Sequence, residues 1–296
     1  MRNAIVNGIF PLNKPIGITS HTATSKFKRL TKEKAGHSGT LDPLAQGVLP
    51  ILIGNTTRLA DFLDTDKCYI AVVKLGIKTD TGDITGKIIE EKPYININKE
   101  DFSNILNKFI GEIKQIPPMY SAIKMNGKKL YELARQGIEI ERKEREIKIN
   151  YINLLSNDEQ KGEYEIEVSC SKGTYIRTLV TDIGFSLGTV ATMLSLKRTL
   201  AANIKIENCF TFEQIEGKNI EDYLISAEKM FEKLNVITIP QDGLKYYLNG
   251  GTISLDRISG ELVGNRFRAY SIDNAFLGLA KIKNDEIKAV WNNIYR

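Results

Sequence analysis

The sequence is poor in the residues on which most metal and redox sites are built: among 296 residues there are three cysteines and two histidines. Cys68, Cys170 and Cys209 are isolated and odd in number, which argues against a disulfide framework and leaves no Cys-x-x-Cys zinc pattern. His21 and His37 would need carboxylates to complete a metal site, and none are spaced for one. There is no Gly-x-x-x-x-Gly-Lys-Ser/Thr and no Gly-x-Gly-x-x-Gly to cradle the phosphates of a nucleotide cofactor. No window approaches the ~20 apolar residues of a membrane span. The first ten residues lack the apolar run and cleavage site of a secretory signal. The expectation is a cytoplasmic protein, with no membrane partner, whose chemistry uses side chains alone, without metal or cofactor.

What is present describes an ordinary folded chain, with 42% hydrophobic and 26% charged residues. The length suits one large domain with a small one, or two domains. A net charge of +5 is compatible with nucleic acid without requiring it. Its distribution says more. Residues 11–40 hold six basic side chains (Lys14, Lys26, Lys28, Arg29, Lys32, Lys34) against the single acid Glu33. Such a run reads either as a solvated helix face or as a phosphate-facing patch.

That basic block adjoins the most unusual stretch of the chain, Gly36-His37-Ser38-Gly39-Thr40-Leu41-Asp42-Pro43-Leu44-Ala45-Gln46-Gly47-Val48-Leu49-Pro50. Its glycines permit angles and close approaches that other residues avoid. Pro43 fixes its own φ and keeps Asp42 out of the helical region. The uncharged run Val48 to Gly54 reads as a buried anchor. A stiff loop on a buried base is a good mount for a reactive carboxylate. Asp-Pro is also a common turn pair, and on local chemistry alone Asp42 reads more simply as a turn residue.

Periodicity supplies the scaffold. Thr19 or Ser20 caps a helix over residues 21–30 with Ala23, Phe27 and Leu30 inward. Residues 56–63 read as a short helix. Lys67 to Leu75 alternates as a strand with Tyr69, Ala71, Val73 and Leu75 on one face. Thr79 to Asp83 is a polar loop. Lys99 to Ile110 is an amphipathic helix capped by Asn98 and closed by Gly111. Ile147, Ile149 and Tyr151 alternate, as do Tyr164, Ile166, Val168 and Cys170. A helix after Arg177 turns Leu179, Val180, Ile183 and Leu187 inward. Asp222 to Leu234 reads as a connecting helix and Pro240 as a boundary marker. Strands are expected over 260–267, 276–282 and 287–291, with Trp291 either core or contact. Residues 117–146 interleave seven basic side chains, against five acids, with Tyr120 and Tyr131, a texture that suits RNA or a solvated hairpin.

The Gly36–Leu49 stretch resembles the TruB family signature of tRNA pseudouridine synthases, G-H-[ST]-G-[AT]-L-D-P-x-A-x-G-x-L, at every specified position. Three further stretches, in the same order, resemble family motifs: Asn13-Lys14-Pro15-Ile16-Gly17-Ile18-Thr19-Ser20, Asp66-Lys67-Cys68-Tyr69, and Cys170-Ser171-Lys172-Gly173-Thr174-Tyr175-Ile176-Arg177-Thr178-Leu179. The resemblance implies an α+β fold: a mixed, mainly antiparallel central sheet with flanking helices and a small β-rich C-terminal PUA-like domain. It implies a catalytic domain over 1–237, an RNA-clamping insertion at about 117–146, and the PUA-like domain over 238–296. By the same resemblance Asp42, Tyr69 and Arg177 are catalytic, and His37, Tyr69, Tyr175, Leu196 and Lys14 bind substrate. Lys197 stands where the family usually carries arginine, which keeps charge and loses the planar fork.

The implied reaction turns a T-loop uridine of tRNA, position 55, into pseudouridine. The base is everted, C1′–N1 is broken, the base turns, and C1′–C5 forms. No atom is gained or lost, so no cofactor is required. An aspartate with an ordinary pKa near 3.9 is already ionised at neutral pH; burial would raise that value and a facing Arg177 would lower it again. The insertion favours the stand-alone branch: a monomer needing neither guide RNA nor a protein partner. The alternative is a tRNA-binding or tRNA-folding module with secondary or lost catalysis. An aspartate-based phosphatase or glycosidase is a third reading.

Overall fold

The computed structural model describes residues 6–94, 97–121, 123–125 and 127–293. Ala122 and the Lys124 side chain of the basic insertion lie outside what is described. Seven strands run in one path through the main sheet: β1 Gly8–Lys14, β2 Gln46–Ile53, β3 Lys67–Leu75, β4 Gly111–Gln115, β5 Arg145–Asp158, β6 Glu163–Cys170 and β7 Ala191–Ala201. Their spatial order is β1-β2-β7-β3-β6-β5-β4, and every neighbouring pair is antiparallel except β2 with β7. The sheet is therefore mixed and mainly antiparallel, as expected.

The parallel contact is short, joining Lys197 to Gln46 and Arg198 to Gly47. It is also tight. A Cβ on Gly47 would stand 2.2 Å from the Arg198 carbonyl oxygen, and φ there is 109°. Only glycine fits both constraints. The crossing brings the end of the signature loop against the centre of the sheet.

β2 is buried on both faces, which explains its uncharged run. Leu49, Ile51 and Ile53 join the main core with Phe10 and Leu12. Helices α1 (Ser20–Thr31), α2 (Lys99–Leu106) and α3 (Ile176–Ser186) bury Phe27, Phe102 and Leu179 in that same core. Val48 and Leu52 face the other way and meet Leu59, Leu279 and Trp291.

Behind that second face stands a six-stranded sheet in the order 252–254, 286–292, 276–283, 266–270, 236–238, 259–260. Trp291 belongs to the core: its indole N–H donates to the Asn55 carbonyl at 3.1 Å and it is 5% exposed.

Several local expectations hold. β3 has the predicted bounds and inward residues. Tyr164, Ile166, Val168 and Cys170 are buried. Thr19 and Asn98 cap their helices by accepting from the backbone N–H groups of Thr22 and Asp101.

Others do not. Leu30 is exposed, and Ser20 and Thr24 lie inward on α1 instead. Ile110 is exposed because α2 ends at Leu106 and passes through a tighter turn. Tyr151 leaves the Ile147/Ile149 face at a bulge, and Ile152 replaces it inside. Residues 54–62 are 3₁₀ rather than α-helical. The 222–234 helix is broken. Ile225 exchanges backbone hydrogen bonds of 2.9 Å with Ile9 at the sheet edge, and Ser226 caps a new helix at Ala227–Met230. The expected strand over 260–267 is mostly loop, with pairing at 259–260 and 266–270.

Candidate active site

The loop bearing Asp42 is tied on both sides. Leu41 N–H donates to Ser20 Oγ at 2.8 Å, and the same hydroxyl donates to the Leu41 carbonyl at 3.0 Å. Gly17 N–H donates to the Pro43 carbonyl at 2.8 Å, and Ala45 N–H to that of Asp42 at 3.0 Å. The first motif, residues 13–20, thus braces the signature loop. Asp42 is held on a fixed turn, as its Pro43 neighbour suggested.

Opposite it, at the start of α3, Arg177 is 6% exposed. Its Nε lies 3.0 Å from Asp42 Oδ2. Nη1 donates to the Thr81 carbonyl at 2.9 Å and Nη2 to that of Tyr120 at 2.8 Å. The guanidinium is anchored in two directions and offers Nε to the carboxylate, a charge-assisted contact of the strong kind.

Asp42, Tyr69, Tyr175, Arg177 and Leu196 line one cavity of about 110 Å³, together with Thr40 and Ser121. At about 30 Å³ per liquid water, this is room for a few water molecules or one small ring. Tyr69 comes from β3, Leu196 from β7, and Tyr175 directly precedes α3. Five of the seven residues proposed from sequence therefore meet at one place. His37 and Lys14 do not line it. His37 pairs with Ile51 at the start of the loop, and its buried Nδ1 has no hydrogen-bond partner among the described residues. Lys14 is fully buried, and its ammonium donates to the carbonyls of Pro15 at 2.8 Å and Ile18 at 2.9 Å. That places Lys14 beneath the loop, where it supports Asp42 electrostatically.

The electrostatics differ from the simple balance expected. Burial pushes the Asp42 pKa up; Arg177 and Lys14 oppose this, while Asp83 adds to it, and the net direction is upward. Arg177 does not bring the carboxylate all the way back. Burial raises the Tyr69 phenol as well, against the pull of Arg198, and raises Tyr175. It lowers His37, and it lowers Lys14 to about 8 against the attraction of Asp42. A cavity holding a carboxylate, a guanidinium and two neutral phenols can bind a polar ring and stabilise positive charge that develops beside the carboxylate.

Three contributing residues escaped the sequence reading. Asp83, in the polar loop after Thr79, lies with Oδ2 4.0 Å from Arg177 Nε. Gln115 brackets Tyr175, accepting from its N–H at 3.0 Å and donating to its carbonyl at 3.2 Å. Arg198 is fully buried and donates to the Val48 and Gly39 carbonyls. A lone aspartate, glutamine or arginine has no local pattern to mark it, and attention fell on the adjacent Lys197.

The chain is similar to known proteins over nearly its whole length. Residues 28–176 match the TruB family pseudouridylate synthase N-terminal domain, and residues 177–236 match the tRNA pseudouridylate synthase B C-terminal domain. The chain is 42% identical over 287 residues to tRNA pseudouridine synthase B of Clostridium tetani, covering 96% of this chain and 99% of that protein. It is 46% identical over 289 residues to the protein of the same name from Fusobacterium nucleatum, covering 95% and 98%. Among solved structures, a chain of the crystal structure of a Cbf5-Nop10-Gar1 complex superposes with a TM-score of 0.71 at 25% identity, covering 98% of this chain and 84% of that one.

Proposed function

The chain belongs to the TruB family of pseudouridine synthases, which are isomerases, and from that premise we propose that it converts the T-loop uridine of tRNA, position 55, to pseudouridine. The observation that carries this reading is the Asp42 carboxylate 3.0 Å from Arg177, facing a cavity walled by Tyr69, Tyr175 and Leu196. A carboxylate held against an arginine at the wall of a cavity suits chemistry on an inserted ring better than it suits binding or folding of tRNA alone.

In this reading the uridine leaves its stack, at a cost on the order of a few kcal/mol in a duplex and less in a loop. Its ring enters beside Tyr69, whose neutral phenol covers the base face. Leu196 and Tyr175 form the remaining walls. Asp42 meets the everted nucleotide as the anionic group around which C1′–N1 breaks and C1′–C5 forms. Arg177 fixes the carboxylate's orientation and favours its charged form against the effect of burial. The composition of the nucleotide is unchanged: as C1′–C5 forms, C5 gives up its proton to solvent and the freed N1 takes one up, so 5-labelled uridine releases tritium. His37 and Lys14 act from beneath and behind the loop. Residues 1–237 carry the chemistry in this assignment, and 238–296 contact RNA elsewhere.

The insertion at about 117–146 covers the RNA. Its residues Ser121 and Tyr120 reach the cavity wall and Arg177, so RNA docking and the catalytic arginine share a segment. This, with the near-complete coverage of the named bacterial relatives, supports a stand-alone monomer acting without guide RNA.

The experiment is tritium release from a tRNA transcript carrying 5-labelled uridine. Wild-type protein should release tritium, and Asp42→Ala should bind the transcript and release none. Wild-type protein that binds without release would instead establish the binding module. Free uracil among the products would indicate a glycosidase.

A further inference from the structure

Behind the signature loop, Arg198 is joined by two lysines to which the site described so far gives no role. Arg198 Nε donates to the Val48 carbonyl at 2.7 Å and Nη2 to the Gly39 carbonyl at 3.0 Å; the buried Nη1 has no well-aligned hydrogen-bond acceptor among the described residues, and the Tyr69 phenol is the polar group beside the guanidinium. Nη1 is aimed at Gly39: a Cβ there would stand 3.3 Å from it and 3.8 Å from Lys67 Nζ. Gly39 has φ of 77°, so the loop passes between two cations where no side chain fits. Lys67 is half-buried, and burial and then Arg198 push its pKa down; the exposed Lys172 adds a third charge of the same sign. None of the three makes an ion pair among the described residues. The nearby acid is the exposed Asp66, which accepts from Asn150 Nδ2 at 3.3 Å. The Cys170 thiol, raised to about 11 by burial, is neutral. Three cations thus face one carboxylate. A buried guanidinium with no carboxylate against it among the described residues and a repelling ammonium beside it is an arrangement that an anion would complete.

The position of this group identifies the anion. Lys67 precedes Tyr69 by two residues on β3, so both lie on one face, about 6–7 Å apart along the strand. Lys172 precedes Thr174 by two residues, and Gly39 adjoins Thr40. Thr40, Tyr69 and Thr174 all line the cavity. Two of these wall segments therefore carry a lysine just outside the space for the base, and the third carries the glycine that packs against Arg198 and Lys67.

We propose that Lys67 and Lys172, seated over the buried Arg198, form a subsite for a backbone phosphodiester of the RNA next to the everted nucleotide. This rests on the RNA-modifying reading above. The two ammonium groups contact the phosphate as point charges. Arg198 has no solvent-exposed surface, so it contributes field and holds Gly39 in place. The contact exists before and during the reaction, so it sets affinity and leaves the rate at saturation alone.

The test uses full-length protein, an unmodified tRNA transcript and the variants Lys67→Gln, Lys172→Gln and the double variant. Affinity is measured across a salt series, and tritium release is followed under single-turnover conditions at saturating enzyme. The double variant should lose about tenfold in affinity, as expected for loss of one charge-assisted contact. The slope of log affinity against log salt should flatten by about 0.7–0.9 for the lost phosphate contact. The saturating rate should hold, and Lys67→Arg, which keeps the charge, should keep the wild-type slope. An unchanged slope and affinity in the double variant overturns the subsite. So does a fall in saturating rate with affinity kept, which would assign Lys67 to positioning Tyr69. Wild-type protein without salt-dependent tRNA binding defeats the functional reading itself, a result distinguishable from either.

Discussion

Asp83 and Arg177 face each other behind the Asp42 carboxylate: Asp83 Oδ2 lies 4.0 Å from the same Nε that meets Asp42 Oδ2 at 3.0 Å. One guanidinium stands between two carboxylates of unequal distance. Asp83 Oδ1 is already occupied, accepting from Thr81 Oγ1 at 3.0 Å and from Thr85 N–H at 3.0 Å. Only Oδ2 is left to hold the arginine. Asp83 is therefore a positioning residue, and its loop is part of the site.

Replacing Asp83 with alanine should let Arg177 drift toward Asp42 and loosen the Thr79–Thr85 loop. Misplacement of about 1 Å at a catalytic group costs about 10²-fold in rate. The expected outcome is that loss in single-turnover tritium release, with tRNA affinity retained. Equal loss of affinity would mean that the loop contacts RNA directly.

Arg177→Lys keeps the charge and removes the fork. A lysine cannot reach the Thr81 and Tyr120 carbonyls and Asp42 together, so two backbone acceptors lose their donors. Each unpaired buried group costs about 1–3 kcal/mol. The variant should melt at a lower temperature than wild type. Loss of the Nε contact should also let burial raise the Asp42 pKa further, so the acid limb of the pH–rate profile moves to higher pH. An unmoved acid limb would mean that a different group controls it.

These contacts also show what the sequence makes legible. β3 and β6 read cleanly because each turns one face to a single core, so their period-2 patterns survive. Pro43 and the glycines around Asp42 marked only a stiff turn, and it was the resemblance of the whole stretch to the TruB signature that singled out the carboxylate. Tyr151 was misplaced because a bulge inserts a residue with no signature of its own. The 222–234 segment has helical composition, but the edge of β1 captures Ile225 through its backbone, and backbone pairing leaves no side-chain pattern. Asp83 meets Arg177 across a gap of 94 residues, and Arg198 meets Gly39 across a gap of 159. Long-range pairings of this kind are set by the order of strands in the sheet, which periodicity does not encode.

The core beneath α2 offers a control for fold as opposed to chemistry. Phe102 and Tyr164 stack with centroids 4.0 Å apart and planes 4° apart, and the Tyr164 hydroxyl donates to the Ile97 carbonyl at 2.7 Å. Phe102 is fully buried. Phe102→Ala should cost about 3–5 kcal/mol in urea unfolding. Because neither ring lines the cavity, the folded variant should release tritium at the wild-type rate when assayed well below its melting temperature. A slowed reaction in folded protein would show that α2 reaches the site through α3.

Asp182 gives a pH test of the fold. It lies on α3, half-buried, and makes no ion pair among the described residues. Burial pushes its pKa from 3.8 up to about 6. Between those values the folded chain holds a proton that the unfolded chain has released. The group's contribution to stability is therefore fully present below 3.8 and is lost as pH rises through about 6. At neutral pH a charged Asp182 weighs against the fold. Asparagine removes the charge and keeps the shape. The melting-temperature gap between Asp182→Asn and wild type should be smallest near pH 4, widen through pH 6 in favour of the variant, and then level off. Differencing the two proteins at each pH cancels the other titrating groups. A gap that stays constant from acid to neutral pH would mean that Asp182 titrates as an ordinary surface carboxylate and that its burial has no energetic consequence.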